Sequence, residues 1–383
     1  MSLSLIPRVR VNYSFFDLFR ALFVTEKGQN LREACESILR SFFGEAVCLV
    51  PSARDAIYEL LIRLPQKKVI IPAYTCIAVN EAVLLAGKEI IYGRTDRESF
   101  NSDYLEFIEP GTIVLATHQY GLPCKIEEIA VKCKEMGAIL IEDCATSMGT
   151  IVNGKKTGTF GDYAVVSFNA SKLLNVPPFG GVLVGENAEM LNRIKKEAEW
   201  RKPSLMFKIK GLIRGTAFVV TKNAVVYKFF HYLTIQSKGK IQKTEHEKPS
   251  ERKTALYSYR FSEWQASILL KQLKKLNLIF EKRKELYQIY NEQIINPLVK
   301  KPVYVKDAVC CRYAILMENR NEFYQECVKQ GVDMDFSHCS LGCPKSFEDE
   351  HRMASQILNI PFNTNLTMRE VRKVIKVVNS INL

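Results

Sequence analysis

The strongest constraint on the fold is a series of short apolar segments between residues 45 and 185, separated by helical stretches and turns. AVCLV (46 to 50), KVIIP (68 to 72) and TIVLAT (112 to 117) are apolar throughout rather than alternating in polarity. The same series continues with AILIED (138 to 143), DYAVVSF (162 to 168) and GGVLVG (180 to 185). Strands of this kind are buried on both faces, as in a parallel sheet covered by helices. The chain is therefore predicted to contain an α/β domain with a mostly parallel central sheet.

The character of the sequence changes after residue 256. Residues 261 to 294 repeat apolar side chains at spacings of three and four, which indicates long helices. A short strand segment follows, and Thr367 with Glu370 three residues later forms a capping-box pattern at the start of a final helix. We predict a large domain over residues 1–255 and a smaller α+β domain over residues 256–383 that includes the long connecting helix.

The composition of the chain and the placement of its apolar residues and cysteines indicate the class of protein. The 383 residues include 54 Lys and Arg against 41 Asp and Glu, a formal net charge of +13. No segment approaches the roughly 18 to 20 uncharged apolar residues of a membrane-spanning helix, and the charged N-terminal segment does not have the pattern of a signal peptide. Several of the eleven cysteines lie in apolar periodic stretches, where a reduced thiol packs as a small hydrophobic group. We expect a cytoplasmic protein with reduced cysteines.

Polar side chains follow three of the predicted strands, at the sheet edge where α/β folds bind ligands. Ser52 follows the first strand, Asp143 ends AILIED, and Ser167 with Lys172 follows DYAVV. A carboxylate that ends a buried strand needs a cationic partner, and a protonated pyridine nitrogen is one. A lysine in a dry pocket forms a Schiff base with an aldehyde. Each residue alone is commonly a turn former or a solvated side chain, but their order and surroundings favour pyridoxal 5'-phosphate as the cofactor.

The segments that carry these residues resemble the DegT/StrS family of pyridoxal-phosphate-dependent, fold type I sugar aminotransferases. The core of the resemblance is EDCATSMG (142 to 149) followed by GKKTGTFGDYAVVSFNASK (154 to 172). Further matching segments are PAYTCIAVNEAVLLAGKEIIY (72 to 92), THQYGLPCKIEEI (117 to 129), YRFSEWQASILLKQLKKLNLIFEKR (259 to 283) and ILNIPFNTNLTMREVRKVIKVV (357 to 378). The resemblance covers most of the chain in the family's order.

The resemblance implies catalytic roles for two residues. Lys172 would form the Schiff base with the cofactor and then move a proton between the substrate carbon and the cofactor. Asp143 would keep the pyridine nitrogen protonated, which makes the ring an electron sink. Ala145 would lie against one face of the ring, and Thr146 would lie near its phenolic oxygen.

The resemblance also implies how the cofactor phosphate is held. The backbone amides of Ala53 and Arg54, at the start of the helix after Ser52, would surround the phosphate, and the Ser167 hydroxyl would complete the site. The family usually has Gly-Thr or Gly-Ser where this chain has Ala53 and Arg54, and Arg54 is expected to add positive charge there.

Two further positions depart from the family pattern. Cys76 stands where the family commonly has an aromatic residue stacked on the ring, and Tyr74 is the candidate to cover the ring in its place. Many members reach across a dimer with an Asn before the Tyr-Arg pair. Ser258 of the partner subunit takes that place here.

The implied activity is transfer of an amino group, with glutamate as the expected donor, to a keto group of a nucleotide-linked sugar. The product would serve polysaccharide, glycolipid or secondary-metabolite synthesis, and the enzyme would be a homodimer with an active site shared across the interface. Two alternatives stay open. One is a cofactor-binding member with altered or lost catalysis, suggested by Cys76 and Ser258. The other is sugar dehydration, which in this family goes with His in place of the lysine, so Lys172 argues against it.

Residues 201 to 243 contain ten Lys or Arg and no Asp or Glu, mixed with many large apolar residues. The family's connection is generally shorter, so we predict an insertion at about 201–250. One interpretation is amphipathic helices packed on the protein itself or on its dimer mate. Another is peripheral contact with the inner face of an anionic membrane. Nucleic-acid binding is not expected, because the charges are interspersed with bulky apolar groups.

A second cluster of ligand-type side chains is HCSLGC (338 to 343), with His351 beyond it. Its spacing does not match the paired C-x2-C or H-x3-H of a structural zinc site. No metal is expected, and the segment is predicted to be a loop near the substrate entrance.

Overall fold

A computed structural model describes residues 3–233, 259–336 and 341–383, and its centre is a seven-stranded sheet. The strands are β1 (Ala46–Val50), β2 (Lys68–Pro72), β3 (Glu89–Gly93), β4 (Thr112–Thr117), β5 (Ile139–Asp143), β8 (Tyr163–Ser167) and β9 (Gly181–Gly185), in the order β1-β9-β8-β5-β4-β2-β3. β9 runs antiparallel to β1 and β8, and the other neighbours pair in parallel. The predicted α/β fold with a mostly parallel sheet is confirmed. β6 (Ile151–Val152) and β7 (Lys155–Lys156) form a separate ribbon.

Helices cover both faces of the sheet. The helices of this part are α1 (Phe15–Leu22), α2 (Leu31–Phe43), α3 (Ala53–Leu61), α4 (Ile77–Leu85), α5 (Ile126–Met136) and α6 (Ala188–Glu197). Successive strand residues enter opposite cores: Val47 and Leu49 pack with α1 and α2, whereas Cys48 and Val50 pack with α3 and α6. This double burial is why the strands are apolar along their whole length.

The C-terminal part packs in two places, because α9 lies against α1 and α2 whereas the smaller domain packs with Tyr74 and Tyr120, which follow β2 and β4. It contains α9 (Glu263–Leu273), α10 (Leu276–Gln293), α11 (Arg320–Lys329), α12 (Glu348–Gln356), α13 (Met368–Ser380) and the antiparallel pair β10 (Tyr313–Leu316) and β11 (Ile357–Ile360). The capping box predicted at Thr367 and Glu370 is present at the start of α13. The predicted boundary between residues 255 and 256 lies outside the described residues.

The described part of the insertion forms two helices, α7 (Leu205–Val220) and α8 (Ala224–His231). The break between them falls at Thr221 to Asn223, where the Asn223 side chain caps α8. Gly211 and Gly215 lie inside α7 on its buried side, where a side chain at residue 211 would come within 2.6 Å of Trp264 and one at residue 215 within 2.9 Å of Leu18. The two glycines therefore permit close helix packing. Among the helices that the structure describes, none is long and apolar enough to cross a bilayer.

A buried carboxylate joins three segments at the centre of the sheet. Glu142 of β5 lies 3.0 Å from Nε2 of His118, which directly follows β4. Its oxygens also accept hydrogen bonds from the backbone N–H groups of Gly158, Phe160 and Gly161 at 2.6 to 3.0 Å, in the turn before β8. Glu142 thus holds together the segments that lead to Asp143 and Lys172.

Replacing Glu142 by Ala should destabilise the cofactor-free protein by about 3 to 5 kcal/mol, because it leaves a buried imidazole and several backbone donors without an acceptor. The free energy of unfolding in urea measures this. Asp143→Asn is the matched control on the same strand. Burial raises the pKa of Asp143, so its ionised form opposes folding at neutral pH and the neutral amide should leave stability unchanged or higher. An equal loss of unfolding free energy in both variants would contradict the role of Glu142 in holding the three segments together.

Candidate active site

The carboxyl ends of β1, β4, β5 and β8 surround a cleft with an empty volume of about 840 Å³. Nine of the residues predicted from the sequence line it: Ser52, Ala53, Arg54, Cys76, Asp143, Ala145, Thr146, Ser167 and Lys172. They come from segments up to 120 positions apart (172 − 52). The parallel sheet brings them together because its strands end at one edge.

Asp143 provides a buried negative charge at the base of the cleft. Its Oδ1 accepts a hydrogen bond of 2.9 Å from the backbone N–H of Ala145. Burial raises the pKa of Asp143, and the Ala145 N–H and the charges of Lys172 and His118 only partly oppose this. Among the described residues, no basic side-chain nitrogen lies within 4.0 Å of the Asp143 carboxylate. A protonated ring nitrogen fits here as the missing cation.

The start of α3 forms an anion site at the opposite end of the cleft. Ser52 caps the helix by accepting a hydrogen bond of 3.2 Å from the backbone N–H of Asp55. A Cβ at position 181 would lie 2.9 Å from the Ala53 nitrogen, so glycine there permits the close approach of β9. The first N–H groups of a helix favour a phosphate. Arg54 contributes less charge than expected, because its guanidinium lies 3.0 Å from Glu81.

Lys172 lies in the irregular segment after β8. Its backbone is fixed by hydrogen bonds to Asn169 and from the Asn175 side chain, of 2.9 and 3.0 Å. Across the cleft, the Thr146 hydroxyl donates a hydrogen bond of 2.8 Å to the His118 carbonyl. Thr146 is therefore fixed in orientation, with its oxygen available as an acceptor. The amine, the carboxylate and the helix start together fit pyridoxal phosphate.

Tyr74 departs from the expectation that it covers the cofactor ring. It is buried against Phe100, and its hydroxyl lies 2.7 Å from that of Tyr120. The turn after β2 directs Tyr74 into the core and leaves Cys76, two residues later, beside the cleft. Cys76 is exposed and begins α4. Ser258 lies outside the described residues.

Several lining residues have no counterpart among the sequence predictions. They are Ile57, Thr75, Ala78, Val79, Thr117, Gln119, Asn169, Phe179 and Gly180. Gln119 lies in the matching segment THQYGLPCKIEEI (117 to 129), which was a usable signal although it assigned no role to this side chain. Its backbone N–H donates to Asn101 at 2.9 Å, and the next residue, Tyr120, has φ 59°. Thr75, Thr117 and Asn169 also lie in segments of the family resemblance, which assigned them no role.

Two groups have metal-ligand chemistry. Atoms of His118, Glu142 and Cys144 lie within 4.8 Å of one another and are buried. The Glu142 oxygens already accept three backbone hydrogen bonds, which gives this cluster a structural role. Of the second group, positions 338 to 340 lie outside the described residues, and Cys343 lies 3.7 Å from His351.

Comparison with known proteins agrees with this geometry. The model of the DegT/DnrJ/EryC1/StrS aminotransferase family matches residues 22–379. The dTDP-3-amino-3,6-dideoxy-alpha-D-galactopyranose transaminase of Aneurinibacillus thermoaerophilus is 25% identical over 359 residues, which cover 88% of this chain and 86% of that protein.

Solved structures share the fold at lower identity. Helicobacter pylori PseC, an aminotransferase of pseudoaminic acid biosynthesis, has a TM-score of 0.74 at 17% identity over 98% of each chain. NtdA of Bacillus subtilis with bound cofactor PMP has a TM-score of 0.70 at 21% identity, covering 99% of this chain and 85% of that one.

Cys76→Tyr should tighten cofactor retention, because position 76 borders the cleft and an aromatic stack is worth about 0.5 to 1.5 kcal/mol beyond its buried area. Cofactor remaining after dialysis, followed by visible absorbance, measures this. Tyr74→Phe is the control and should retain cofactor like the wild type, since Tyr74 contacts Tyr120 and Phe100 instead. Faster loss of cofactor from Cys76→Tyr would show that the cleft has no room for a ring at this position.

Proposed function

The chain belongs to the DegT/DnrJ/EryC1/StrS aminotransferase family, and from this we propose that it transfers an amino group from an amino acid, glutamate in the first instance, to a keto group of a nucleotide-linked sugar. It is a pyridoxal-phosphate-dependent aminotransferase, as its family is. The observation that carries the proposal is the placement of Lys172 and Asp143 on one cleft, with the start of α3 at its other end.

Pyridoxal phosphate, when bound, supplies an aldehyde carbon and a ring that accepts electrons. The protein residues then have separate tasks. Lys172 would hold the cofactor through its amine, and the same amine would move a proton at the substrate carbon. Asp143 would hold the proton on the ring nitrogen, and the backbone amides of Ala53 and Arg54 with the Ser167 hydroxyl would bind the phosphate. Ala145 and Cys76, which line the cleft, would border the two faces of the ring.

The substrate class rests on the relatives. The Aneurinibacillus protein, which aligns along most of this chain, is named for transamination of a dTDP-linked sugar. A nucleotide-linked keto sugar is therefore the proposed acceptor, for synthesis of a polysaccharide, a glycolipid or a secondary metabolite.

We also propose a homodimer in the cytoplasm. Cys76 at the edge of the cleft is exposed in a single chain, which leaves this edge accessible to a second copy. Ser258 of the partner subunit is the proposed contribution across the interface. Lost catalysis is the alternative, but the presence of both Lys172 and Asp143 on the cleft favours an active enzyme.

The inner membrane face is the proposed peripheral partner of residues 201 to 243. On α7, Leu205, Ile209 and Ile213 are 72%, 40% and 65% exposed. Phe15, Phe16, Phe19, Leu22 and Phe23 of the neighbouring α1 segment are also exposed. An apolar face bordered by basic residues suits an anionic bilayer. Self-packing, the other interpretation, accounts for the opposite side of α7, where Gly211, Leu212 and Gly215 are buried.

The basic residues of the insertion also fall into two groups, one hydrogen-bonded to the protein and one exposed. Lys222 donates a hydrogen bond to the Tyr13 carbonyl, and burial lowers its pKa to about 8. Lys208 donates to the carbonyls of Leu22 and Val24 at 2.7 Å. Lys208 therefore anchors α7 to the protein, and Lys222 anchors the turn after it. Lys202 and Lys210 are exposed and provide the charge that would face a membrane.

The reaction is tested by incubating the purified holoenzyme with glutamate and a panel of nucleotide-linked keto sugars, with product masses measured. We expect a product of the mass of an amino sugar. Lys172→Ala should abolish turnover and the borohydride-reducible link to the protein. Asp143→Asn should retain cofactor but lower turnover by several orders of magnitude, because an amide does not hold the ring nitrogen protonated. Failure across a broad panel would favour lost catalysis.

Membrane contact is tested by sedimentation with anionic and zwitterionic liposomes. We expect salt-sensitive binding to the anionic liposomes only, weakened by Lys202→Glu with Lys210→Glu, since each basic residue near the surface adds about 1 kcal/mol. Lys134→Glu with Lys282→Glu changes the net charge equally at exposed positions elsewhere. Equal weakening in the two double variants, or no binding at low salt, would leave a dimer contact as the explanation of the apolar face.

A further inference from the structure

A large open cavity lies between the N-terminal segment, the turn from α7 to α8 and the start of α13. It has an empty volume of about 1240 Å³ and shares no lining residue with the cofactor cleft. The insertion contributes Lys222, Asn223 and Ala224 to its lining. The cavity therefore depends on a segment that departs from the family pattern.

Positive charge dominates the lining, and we call this space the basic cavity. Arg10, Lys222, Arg369 and Lys373 line it, and Glu370 is the one carboxylate among its described lining residues. Glu370 accepts hydrogen bonds of 2.8 and 2.5 Å from the Arg10 guanidinium, so its charge is already balanced. The lining therefore carries an excess of three positive charges.

The surroundings of two lysines in the basic cavity disfavour their charged forms. Burial and the charge of Arg10 lower the pKa of Lys222 to about 8, although the charge of Asp17 opposes them. Burial and the charge of Arg369 likewise lower the pKa of Lys373. An anion between these side chains would favour their charged forms again.

Hydrogen-bond donors at the basic cavity favour the same kind of ligand. α8 begins at Ala224 and α13 at Met368, so the starts of two helices border the cavity. The first N–H groups of a helix favour an anion. In addition, Nε of Arg10, whose side chain is 7% exposed, is a buried donor without a partner in the described part of the chain. These donors suit an oxyanion with several acceptor oxygens.

Arg10 also borders a smaller cavity beside Lys172. This arginine-lined cavity includes Arg8, Arg283 and Arg312, and its empty volume is about 360 Å³. The basic cavity is more than three times larger and opens beside the insertion, so we place the anion there.

Exposed apolar side chains next to the basic cavity bear on the source of such an anion. Leu3, Val225 and Met368 are 89%, 61% and 47% exposed, and each adjoins a lining residue in the chain. A phosphate that carries acyl chains would bring those chains to these side chains. A free phosphate would leave the apolar side chains in water.

We propose that the basic cavity binds a phosphate monoester, with a membrane lipid such as phosphatidic acid as its source. A phosphate monoester carries about 1.5 to 2 negative charges at neutral pH and three acceptor oxygens. It therefore matches the excess of three cations better than the single charge of a phosphate diester. The site is separate from Lys202 and Lys210 and does not depend on the proposed reaction.

The test is calorimetric titration of the holoenzyme, in which the cofactor fills its own phosphate site. Dihexanoyl phosphatidic acid, below its critical micelle concentration, presents the head group without a bilayer. We expect it to bind saturably and about tenfold or more tighter than inorganic phosphate, because its acyl chains bury apolar surface. Dihexanoyl phosphatidylcholine, which has no phosphate monoester, should not bind.

Two double variants of α13 locate the site. Arg369→Gln with Lys373→Gln should weaken binding of dihexanoyl phosphatidic acid by about tenfold or more, because two charge-assisted contacts are lost. Arg372→Gln with Lys376→Gln removes the same charge from exposed positions of the same helix outside the cavity, and should bind like the wild type. Arg369→Gln alone changes an exposed side chain, so it should fold normally and still weaken binding.

Several results would overturn the proposal. They are equal weakening in the two double variants, equal binding of phosphatidic acid and phosphatidylcholine, or absence of binding to the wild type. Lys202→Glu with Lys210→Glu should leave binding of the short-chain lipid unchanged, and a loss there as large as in Arg369→Gln with Lys373→Gln would also count against the cavity. Inorganic phosphate that binds as tightly as the lipid would support the phosphate site and identify a soluble phosphate as its ligand.

Discussion

The structure depends on one buried carboxylate, Glu142, and on the donors that surround it. Glu142 joins the end of β4, through His118, to the turn that leads into β8. Successive residues of a strand point to opposite faces, so Asp143, the next residue, points away from this cluster and into the cleft. One strand end therefore carries two carboxylates with different tasks. The oxygens of Glu142 have hydrogen-bond partners within the protein, so its role is structural. Asp143 accepts few hydrogen bonds and is available to a ligand.

The candidate site carries unbalanced charges on both sides of Lys172. Burial raises the pKa of Asp143 and lowers that of Arg283, and both shifts mean that the ionised form is disfavoured in the folded protein. Such charges lower stability unless something opposite fills the space beside them. A ring cation next to Asp143 would do this on the cofactor side, so cofactor binding and stability are expected to be coupled.

The sequence was sufficient for the sheet and for the residues at its strand ends, because apolar runs mark buried strands and parallel strands end at one edge. The sequence did not predict that β9 is antiparallel, because GGVLVG would be equally apolar in a parallel strand. It misplaced Tyr74, because a two-residue turn decides whether position 74 or 76 borders the cleft. The cluster of Arg8, Arg283 and Arg312 beside Lys172 had no sequence signal, because these residues meet only in three dimensions.

The insertion is connected to the arginine-lined cavity beside Lys172. Tyr227 of α8 donates a hydrogen bond of 2.5 Å to Asp333, and that carboxylate lies 3.7 Å from Arg8, which lines the cavity. His231, one turn later, lies 3.1 Å from the Tyr324 hydroxyl, which also donates to Asp333. The buried side of α8 therefore holds Asp333, the carboxylate partner of Arg8, in place. The opposite side of the insertion is exposed and accessible to another surface. Asp333 therefore joins the insertion to Arg8, one of the residues that line the space beside Lys172.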